Sequence, residues 1–561
     1  MNSFLITDCG STTTKAILIL RNEDGYYMAA RGEAPTTVEA PFDDVTIGVL
    51  NAAYDLEESF GRKLVKDGKI YVTDREDEGV NAYLSTSSAG GGLQITACGV
   101  VGSMSAESAE RCALGAGAIV IDTISVDDGR KYYERIDKLR KTRPDMILLA
   151  GGTDGGTVRH LARLAETVLA SDPKPRLGNM KLPVIYCGNR EAAEDVRKIL
   201  GDKVELKITD NIRPSLEREN LHPAREAIHE LFLQHVMKQS PGYDRLTEWT
   251  TSEIMSTPNA FGNIIIKYAK KKNLNIMAVD IGGATTDVFS VIEGKYTRTV
   301  SANLGMSYSV GNVLCEAGTE NIERWLDFPV EEKELRDIIR NKMIRPTIIP
   351  MTVKSLKIEQ AVAREALRLS FEHHKSLARS LKGVQNEGDM TSIVRNEKED
   401  TLMDTQKLDM IIGSGGVLSH APERRQAALM MMDAYNLKGI TLLCVDSVFM
   451  MPHLGVLTET CPEASEEVFE KDCLVRLGTV FSFRNYGRKI PDCSMSVFID
   501  EKEYNFRYGT LNILELLKGK YNAVLKPNCR FDFGGGRGKN YSCVLESGEL
   551  GIIFDLRKKY N

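Results

Sequence analysis

Along the chain, strand-length apolar runs alternate with segments whose apolar residues have helical spacing. This pattern predicts a mixed α/β protein. Phe4–Ile19 is an apolar run, a polar Gly/Ser/Thr turn and a second apolar run, which predicts a β-hairpin. The same plan returns about 270 residues further on, at Ile276–Ile292, which indicates a duplicated unit. Between them, from Leu84 to about Met237, strand-length apolar runs alternate with helical periodicity. This alternation predicts an inserted, mainly parallel sheet with helices on both faces.

Composition excludes several classes of protein. Hydrophobic residues make up 42% of the 561 positions and charged residues 27%, which is the balance of a folded globular chain rather than a disordered one. The net charge of -6 argues against a protein whose main task is to neutralise a phosphate backbone, so we expect no nucleic-acid partner. No run of 18 apolar residues and no leader pattern is present, so we expect no membrane anchor. Eleven cysteines without a C-x-x-C pair predict thiols in a reducing cytoplasm.

The first hairpin turn carries residues that could bind phosphate. Its acid could hold hydrated magnesium, its glycine would let a ligand approach the backbone, and its hydroxyl and ammonium groups could bind phosphate oxygens. The alternative is an ordinary hairpin turn. The candidate residues of this turn are Asp8, Gly10, Ser11, Thr12, Thr13 and Lys15.

The second hairpin turn repeats this design of carboxylate, glycines, hydroxyl donors and a closing acid. Two such turns could clamp a triphosphate. The closing acid, Asp287, could instead serve only to fix the turn at the start of the next strand. The candidate residues of this turn are Asp280, Gly282, Gly283, Ala284, Thr285 and Asp287.

A third glycine loop follows the apolar strand Met410–Ile412 and precedes a predicted helix. Glycines in this position would let an adenine and its ribose lie flat against the backbone. The candidate residues of this loop are Gly413, Ser414, Gly415 and Gly416.

In this order, the three motifs resemble the phosphate-1, phosphate-2 and adenosine motifs of the superfamily that contains actin, hexokinase and the heat-shock chaperones. The resemblance implies that ATP and Mg²⁺ are the cofactors, with Asp8 and Asp280 on the magnesium side and Thr285 near the attacking water. It also implies that Ser11–Thr13 and Lys15 contact the β- and γ-phosphates. Catalysis of this kind consists mainly of positioning and charge stabilisation.

Three further segments indicate one particular family within this superfamily. They are Ser87–Leu93, Ala113–Ala118 and Leu149–Gly156. Together with the second turn they resemble the glutamate mutase (methylaspartate mutase) accessory protein L family, also labelled MutL, over roughly residues 1–480. This resemblance implies a chaperone-like reactivase of an adenosylcobalamin-dependent mutase, such as glutamate mutase or an aminomutase. Radical enzymes trap damaged cobalamin when they lose the adenosyl group, and ATP could drive the conformational change that removes it.

Other functions are compatible with the same fold. A small-molecule kinase or ligase is the main alternative, although no base for an acceptor hydroxyl stands out. A dehydratase activator would need cysteines that hold a cluster between subunits, and a filament protein would need nucleotide-dependent polymerisation. Gly151–Gly156 could be a second ligand loop or a structural turn. A homodimer is compatible with the sequence.

The resulting fold prediction is α/β, with duplicated actin-like (ribonuclease H-like) ATPase domains, an inserted α/β domain and a β-rich C-terminal extension. The predicted boundaries are 1–84 for the first actin-like half, 85–255 for the insertion, 256–485 for the second half and 486–561 for the extension.

Overall fold

A computed structural model describes residues 2–10, 13–38, 41–88, 93–176, 180–235, 241–346, 348–379, 401–485, 494–527 and 531–557. Ser11 and Thr12 of the first turn, and residues 89–92 of the Ser87–Leu93 segment, lie outside the described residues. The chain forms two compact units. The first is formed by Met1–Ile264 with Pro452–Val468, and the second by Ile265–Arg379, Thr401–Met451 and Phe469–Asn561.

The strands of the first unit form two large sheets and a small hairpin. They are β1 (Ser3–Cys9), β2 (Thr13–Asn22), β3 (Gly25–Pro35), β4 (Val65–Lys66), β5 (Lys69–Ile70), β6 (Ala82–Ser87), β7 (Gln94–Gly99), β8 (Ile119–Ser125), β9 (Met146–Leu149), β10 (Pro183–Tyr186), β11 (Glu205–Ile208) and β12 (Met255–Ser256).

The strands of the second unit include the predicted β-rich extension. They are β13 (Ile276–Ile281), β14 (Thr286–Ile292), β15 (Lys295–Ser301), β16 (Met410–Ser414), β17 (Gly439–Asp446), β18 (Leu474–Ser482), β19 (Arg484–Asn485), β20 (Ser494–Ile499), β21 (Lys502–Arg507), β22 (Leu511–Leu514), β23 (Gly519–Lys526), β24 (Phe531–Asp532), β25 (Tyr541–Ser547) and β26 (Ile552–Asp555).

The described α-helices cover the sheets. They are α1 (Val45–Phe60), α2 (Glu107–Gly115), α3 (Tyr132–Thr142), α4 (Arg159–Ser171), α5 (Ala193–Leu200), α6 (His222–His235), α7 (Tyr243–Trp249), α8 (Thr257–Lys272), α9 (Val310–Ala317), α10 (Thr319–Glu323), α11 (Glu332–Ile344), α12 (Val353–Leu377), α13 (Gly416–Ser419), α14 (Arg424–Tyr435), α15 (Met451–Thr460) and α16 (Pro462–Val468).

The first sheet has the order β3-β2-β1-β6-β12. The hairpin β1–β2 and the pair β2–β3 are antiparallel, whereas β6 and β12 run parallel to β1. All seven residues of β1 are buried, which explains why this central strand begins as a continuous apolar run. The predicted hairpin is confirmed, and β1 ends at the candidate turn.

The large sheet of the second unit repeats this topology and then extends it. Its order is β15-β14-β13-β16-β17-β18-β26-β22, with β13–β14–β15 antiparallel and β16 and β17 parallel to β13. Three antiparallel strands followed by two parallel ones, in the same order in both sheets, is the ribonuclease H-like arrangement predicted from the duplicated motifs. The predicted fold class is confirmed.

The inserted sheet is parallel throughout, as predicted, with the order β8-β7-β9-β10-β11. In chain order this is 2-1-3-4-5, the doubly wound arrangement. Apolar residues of both sheets of the first unit meet in one cluster, which contains Leu5 and Tyr83 together with Ile95 and Leu148. The insertion therefore shares part of its core with the first sheet.

The β-rich character of the C-terminal segment is confirmed. Strands β20, β21, β23 and β25 form their own sheet, while β22 and β26 join the large sheet next to β18. None of the described helices combines the length and apolar character that crossing a bilayer requires.

A buried histidine ties α12 to the hairpin of the second turn. The Nδ1 atom of His374 lies 3.0 Å from the Thr299 hydroxyl and its Nε2 atom lies 2.8 Å from the Ser290 hydroxyl. Burial lowers the pKa of His374 to about 3, because the charged ring would lose its hydration. The imidazole is therefore neutral in the folded protein at physiological pH.

We expect this histidine to destabilise the fold in acid. Its pKa is lower in the folded state than the ordinary value of 6.5, so the unfolded state binds more protons and stability falls as pH drops below about 6.5. His374→Gln removes this proton uptake. The difference in urea midpoint between wild type and variant should therefore shrink from pH 7.5 to pH 5, and a constant difference would contradict the assignment.

Candidate functional site

Asp8 occupies the end of β1 and is 3% exposed. Its Oδ1 atom accepts hydrogen bonds from the hydroxyls of Thr86, at 2.8 Å, and Thr257, at 2.6 Å. Thr86 lies opposite Asp8 on the parallel strand β6, and Thr257 is the first residue of α8. Two hydroxyl donors on separate elements therefore fix the direction in which this carboxylate points.

A hydroxyl network lies next to Asp8 on the same sheet. The hydroxyl of Thr7 is 2.8 Å from that of Tyr83 and 2.9 Å from that of Ser85. Burial, followed by the charge of Asp8, raises the pKa of Cys9 to about 12. Cys9 is therefore a neutral thiol, and it does not supply a nucleophile to this site.

The first turn is closed by a hydrogen bond in which the N–H of Gly10 donates to the carbonyl of Thr13 at 3.1 Å. A Cβ atom at Gly10 would lie 2.6 Å from the same carbonyl oxygen, so the turn excludes any larger residue. The Thr36 hydroxyl donates to the carbonyl of Gly10 at 2.8 Å. Lys15 is half-buried and lies opposite Asp8 in the register of β1 and β2.

The second turn has the same internal geometry. The N–H of Gly282 donates to the carbonyl of Thr285 at 2.9 Å, and Asp280 lies opposite Asp287 in the register of β13 and β14. Asp280 therefore corresponds to Asp8, and Asp287 takes the position that Lys15 has in the first turn. The duplicated sequence pattern corresponds to a duplicated local structure.

The carbonyl groups of the second turn are anchored to the segment that follows β15. The N–H groups of Met306 and Ser307 donate to the carbonyls of Gly282 and Gly283, at 2.9 and 2.8 Å, and the Ser309 hydroxyl donates to the carbonyl of Ala284 at 2.5 Å. Within the described chain, the N–H groups of residues 283–285 donate to no acceptor. Backbone donors arranged in this way suit an anion such as phosphate.

Asp287 forms a buried ion pair. Its Oδ1 atom accepts a hydrogen bond from Nε of Arg298 at 3.0 Å, and the Arg298 side chain is 2% exposed. Its Oδ2 atom accepts from the Thr285 hydroxyl at 3.3 Å. These contacts support the turn-fixing role that the sequence left open, and they orient the hydroxyl of Thr285. A direct contact of Asp287 with phosphate stays a prediction.

The third loop packs against the strand that leads into the second turn. Gly415 has a φ of 95°, and a Cβ atom there would collide with the carbonyl oxygen of Ile281. A Cβ atom at Gly413 would lie 2.9 Å from Cδ1 of Leu418 and from Sδ of Met431. Gly416, in contrast, has nothing within 4 Å of its Cβ position. The loop therefore offers an open surface at Gly416.

Asp446 is fully buried and positions the third loop. Its Oδ2 atom accepts hydrogen bonds from the hydroxyl of Ser414, at 3.3 Å, and from the N–H of Met451, at 3.1 Å. Its Oδ1 atom accepts from the N–H of Met450 at 3.1 Å. Ser414 also lies opposite Asp280 in the register of β16 and β13, so the third loop and the second turn share one sheet edge.

The structure brings the predicted residues together within each unit. In the first unit it gathers Asp8, Gly10, Thr13 and Lys15 at one turn. In the second unit it gathers the 280–287 turn and the 413–416 loop at one sheet edge. The binding of a single nucleotide by both sets stays a prediction.

Sequence reasoning missed the residues that hold the predicted ones in place. A signal was present for two of them: Thr86 lies in a conspicuous Ser/Thr run, and Asp446 ends an apolar strand before a helix. The residues missed are Thr86, Thr257, Arg298, Ser309 and Asp446.

The comparisons with known proteins point to one family. A family model described as MutL protein matches residues 4–473. Protein MutL of Clostridium tetanomorphum is 29% identical over 498 residues, which cover 84% of this chain and 99% of that protein.

Solved structures give weaker likenesses. Nucleotide-free acetone carboxylase matches with 13% identity and a TM-score of 0.36, covering 81% of this chain and 70% of that chain. Glycerol dehydratase reactivase matches with 11% identity and a TM-score of 0.29, covering 82% and 99%. Diol dehydratase-reactivating factor in nucleotide-free form matches with 10% identity and a TM-score of 0.29, covering 82% and 100%. At such low TM-scores these likenesses carry no conclusion about function.

We expect Gly416→Leu to weaken Mg-ATP binding by about tenfold or more, because the side chain would fill the open surface of the third loop. The fold should persist, since nothing lies within 4 Å of the Cβ position. Isothermal titration of the wild type, Gly416→Ala and Gly416→Leu measures the effect, which should increase with side-chain size. Equal affinity of all three would place the nucleoside elsewhere.

Proposed function

The chain belongs to the MutL protein family, the family of glutamate mutase accessory proteins, and from this premise we propose that it is an ATP-dependent reactivase of an adenosylcobalamin-dependent mutase. The proposal has two parts, the binding and hydrolysis of Mg-ATP by this chain and the coupling of that reaction to a partner enzyme. A cytoplasmic location and a homodimer stay predictions.

The observation that carries the first part is the pair of equivalent Asp–Gly turns. Each is closed by the same glycine hydrogen bond, and each places a carboxylate at the end of a central strand. In the second turn the carbonyls are anchored and three consecutive N–H groups face no acceptor of the described chain. A phosphate chain needs such donors, and its metal ion needs one or two carboxylates.

The residues present fit ATP and magnesium. Asp8 and Asp280 would hold the hydrated metal ion, the N–H groups of residues 283–285 would bind phosphate oxygens, and Gly416 would leave room for the nucleoside. When bound, Mg-ATP supplies a phosphoanhydride bond whose hydrolysis releases free energy. The Thr285 hydroxyl, oriented by Asp287, would position the attacking water.

The second part concerns how nucleotide affects the partner. A ligand shifts a protein between two states only by as much as it binds one of them better. We therefore assign ATP the role of favouring the state with high affinity for the damaged mutase, and hydrolysis the role of returning the protein to the other state. Direct contact of this chain with cobalamin is not required.

The experiment that tests the proposal measures phosphate release from Mg-ATP in three mixtures. These contain the protein alone, the protein with active mutase, and the protein with mutase inactivated by hydroxocobalamin. A reactivase should release phosphate fastest with the inactivated mutase, and the mutase should regain activity when fresh adenosylcobalamin is present. Phosphate release that is indifferent to the mutase would favour a small-molecule kinase, and absence of ATP binding would contradict both.

We expect Asp8→Asn and Asp280→Asn each to reduce the rate of ATP hydrolysis by about a hundredfold or more, because each removes a negative charge that holds magnesium. Circular dichroism should show an unchanged fold. Glu293→Gln is the matched control, since Glu293 is an exposed carboxylate in the turn that joins β14 to β15, on the same sheet as Asp280. Turnover at the wild-type rate in either aspartate variant would defeat the assignment of that residue.

We expect Thr86→Val and Thr257→Val each to lower kcat by about tenfold, since each loses one hydrogen bond to the charged Asp8. Both hydroxyls bind the same oxygen, so the double variant should deviate from the product of the single effects. Steady-state kinetics of the three variants measures this. Strictly multiplicative effects on kcat would show that the two threonines do not act through Asp8.

A further inference from the structure

The segment that anchors the second turn also lines the space beside it. The N–H of Ser307 donates to the carbonyl of Gly283 at 2.8 Å, and the hydroxyl of Ser309 donates to the carbonyl of Ala284 at 2.5 Å. Tyr308 lies between these two bonds in sequence. The backbone of the segment is therefore fixed relative to the turn before any ligand binds.

Gly283 faces two side chains of this segment. A Cβ atom at Gly283 would lie 3.4 Å from Cβ of Ser307 and 3.5 Å from its Oγ atom. It would also lie 3.8 Å from Cδ2 of the Tyr308 ring. Because glycine has no side chain, a hydroxyl and an aromatic ring flank the backbone of the turn with nothing from Gly283 between them.

Both of these side chains are accessible to a ligand. Ser307 is half-buried and Tyr308 is 52% exposed, whereas Met306 and Ser309 on either side of them are buried. Neither the Ser307 hydroxyl nor the Tyr308 hydroxyl forms a hydrogen bond with another described residue. The two residues are therefore the accessible part of an otherwise buried segment, and both hydroxyls are available as donors.

The hydroxyls lie beside backbone donors that also lack an acceptor. Among the residues that the structure describes, the N–H groups of residues 283–285 donate to none. Serine and tyrosine hydroxyls can each donate one hydrogen bond, and each phosphate oxygen can accept several. Consecutive backbone N–H groups with hydroxyls next to them form a donor set that suits a tetrahedral oxyanion.

We infer that Ser307 and Tyr308 are further phosphate-binding residues of the second turn, whose hydroxyls donate to the phosphate chain of Mg-ATP. The inference rests on the proposed function. Ser307 has the shorter side chain, and it donates to the phosphate group that the N–H of Gly283 binds. The Tyr308 ring covers this phosphate on its solvent side and donates through its phenol.

A purely structural role fits these contacts less well. A hydroxyl that supports the fold bonds to another group of the protein, as the Ser309 hydroxyl does with the carbonyl of Ala284. Ser307 and Tyr308 make no such side-chain bond to another described residue. The anchoring segment therefore contains one hydroxyl that holds the turn and two that a ligand can use.

The test compares full-length wild type with Ser307→Ala and Tyr308→Phe, each of which removes one hydroxyl. Ser307→Thr keeps a hydroxyl at the first position. The matched controls are Ser542→Ala, at an exposed serine of β25, and Tyr54→Phe, at a tyrosine of α1 that is 45% exposed. Isothermal titration gives the Kd for Mg-ATP, and thermal unfolding with and without Mg-ATP gives the stabilisation by the ligand.

We expect Ser307→Ala to raise the Kd for Mg-ATP by about tenfold, because it loses a hydrogen bond to a charged group. Tyr308→Phe should raise it by about threefold, since water competes for an exposed phenol. Ser307→Thr and both controls should bind Mg-ATP as the wild type does. All variants should unfold at the wild-type temperature without nucleotide, whereas Mg-ATP should stabilise Ser307→Ala and Tyr308→Phe less than the wild type.

The outcomes separate this inference from the proposed function. An unchanged Kd in either variant would overturn the assignment of that residue, and an unchanged Kd in both would overturn the inference while leaving the proposed function intact. Failure of the wild type to bind Mg-ATP would overturn both. Variants that unfold at a lower temperature without nucleotide, but gain the wild-type stabilisation from Mg-ATP, would assign the hydroxyls to the fold and overturn the inference.

A second titration identifies the source of the phosphate. Inorganic phosphate replaces Mg-ATP in the same set of proteins. If Ser307→Ala and Tyr308→Phe weaken the binding of inorganic phosphate but leave the Kd for Mg-ATP unchanged, the two residues serve a free phosphate. That result would overturn their contact with the nucleotide.

Discussion

A single hydrogen bond, from the N–H of a glycine to the carbonyl three residues later, is the constraint on which both candidate turns depend. It closes the hairpin so tightly that a Cβ atom at Gly10 has no room, and the same bond recurs at Gly282. Once the turn is closed, the acid before it stands at the end of a central strand. The carbonyls of the second turn then bond to the segment after β15, which leaves its N–H groups for a ligand.

The sequence predicted the features that local pattern determines. Apolar runs on either side of a polar turn predicted both hairpins, and the repetition of Asp and Gly predicted their equivalence. Residues that orient these groups from distant parts of the chain, such as Thr257, could not be predicted. Thr257 lies 249 residues from Asp8, and its hydroxyl reaches the carboxylate only because α8 begins beside β1. No local periodicity encodes such a contact. The predicted domain boundaries stay predictions.

The C-terminal segment shows that local pattern can predict strands without predicting which strands pair. Its short strands and Gly-rich turns predicted a β-rich extension correctly. The pattern did not reveal that β26 would pair with β18 and β22 with β26, because pairing depends on which edge of the large sheet is open. The match to the family model ends at residue 473, so these strands enlarge the sheet of the second unit beyond the matched region.

The equivalence of Lys15 and Asp287 has a consequence for how the two turns can change in evolution. In the second turn, Asp287 forms a buried ion pair with Arg298. A substitution that removes this acid would leave the buried guanidinium without that counter-charge. In the first turn, the equivalent position is a half-buried lysine on β2. The same position of the repeated motif is therefore constrained by a buried partner in one copy and, through the proposed phosphate contact of Lys15, by a ligand in the other.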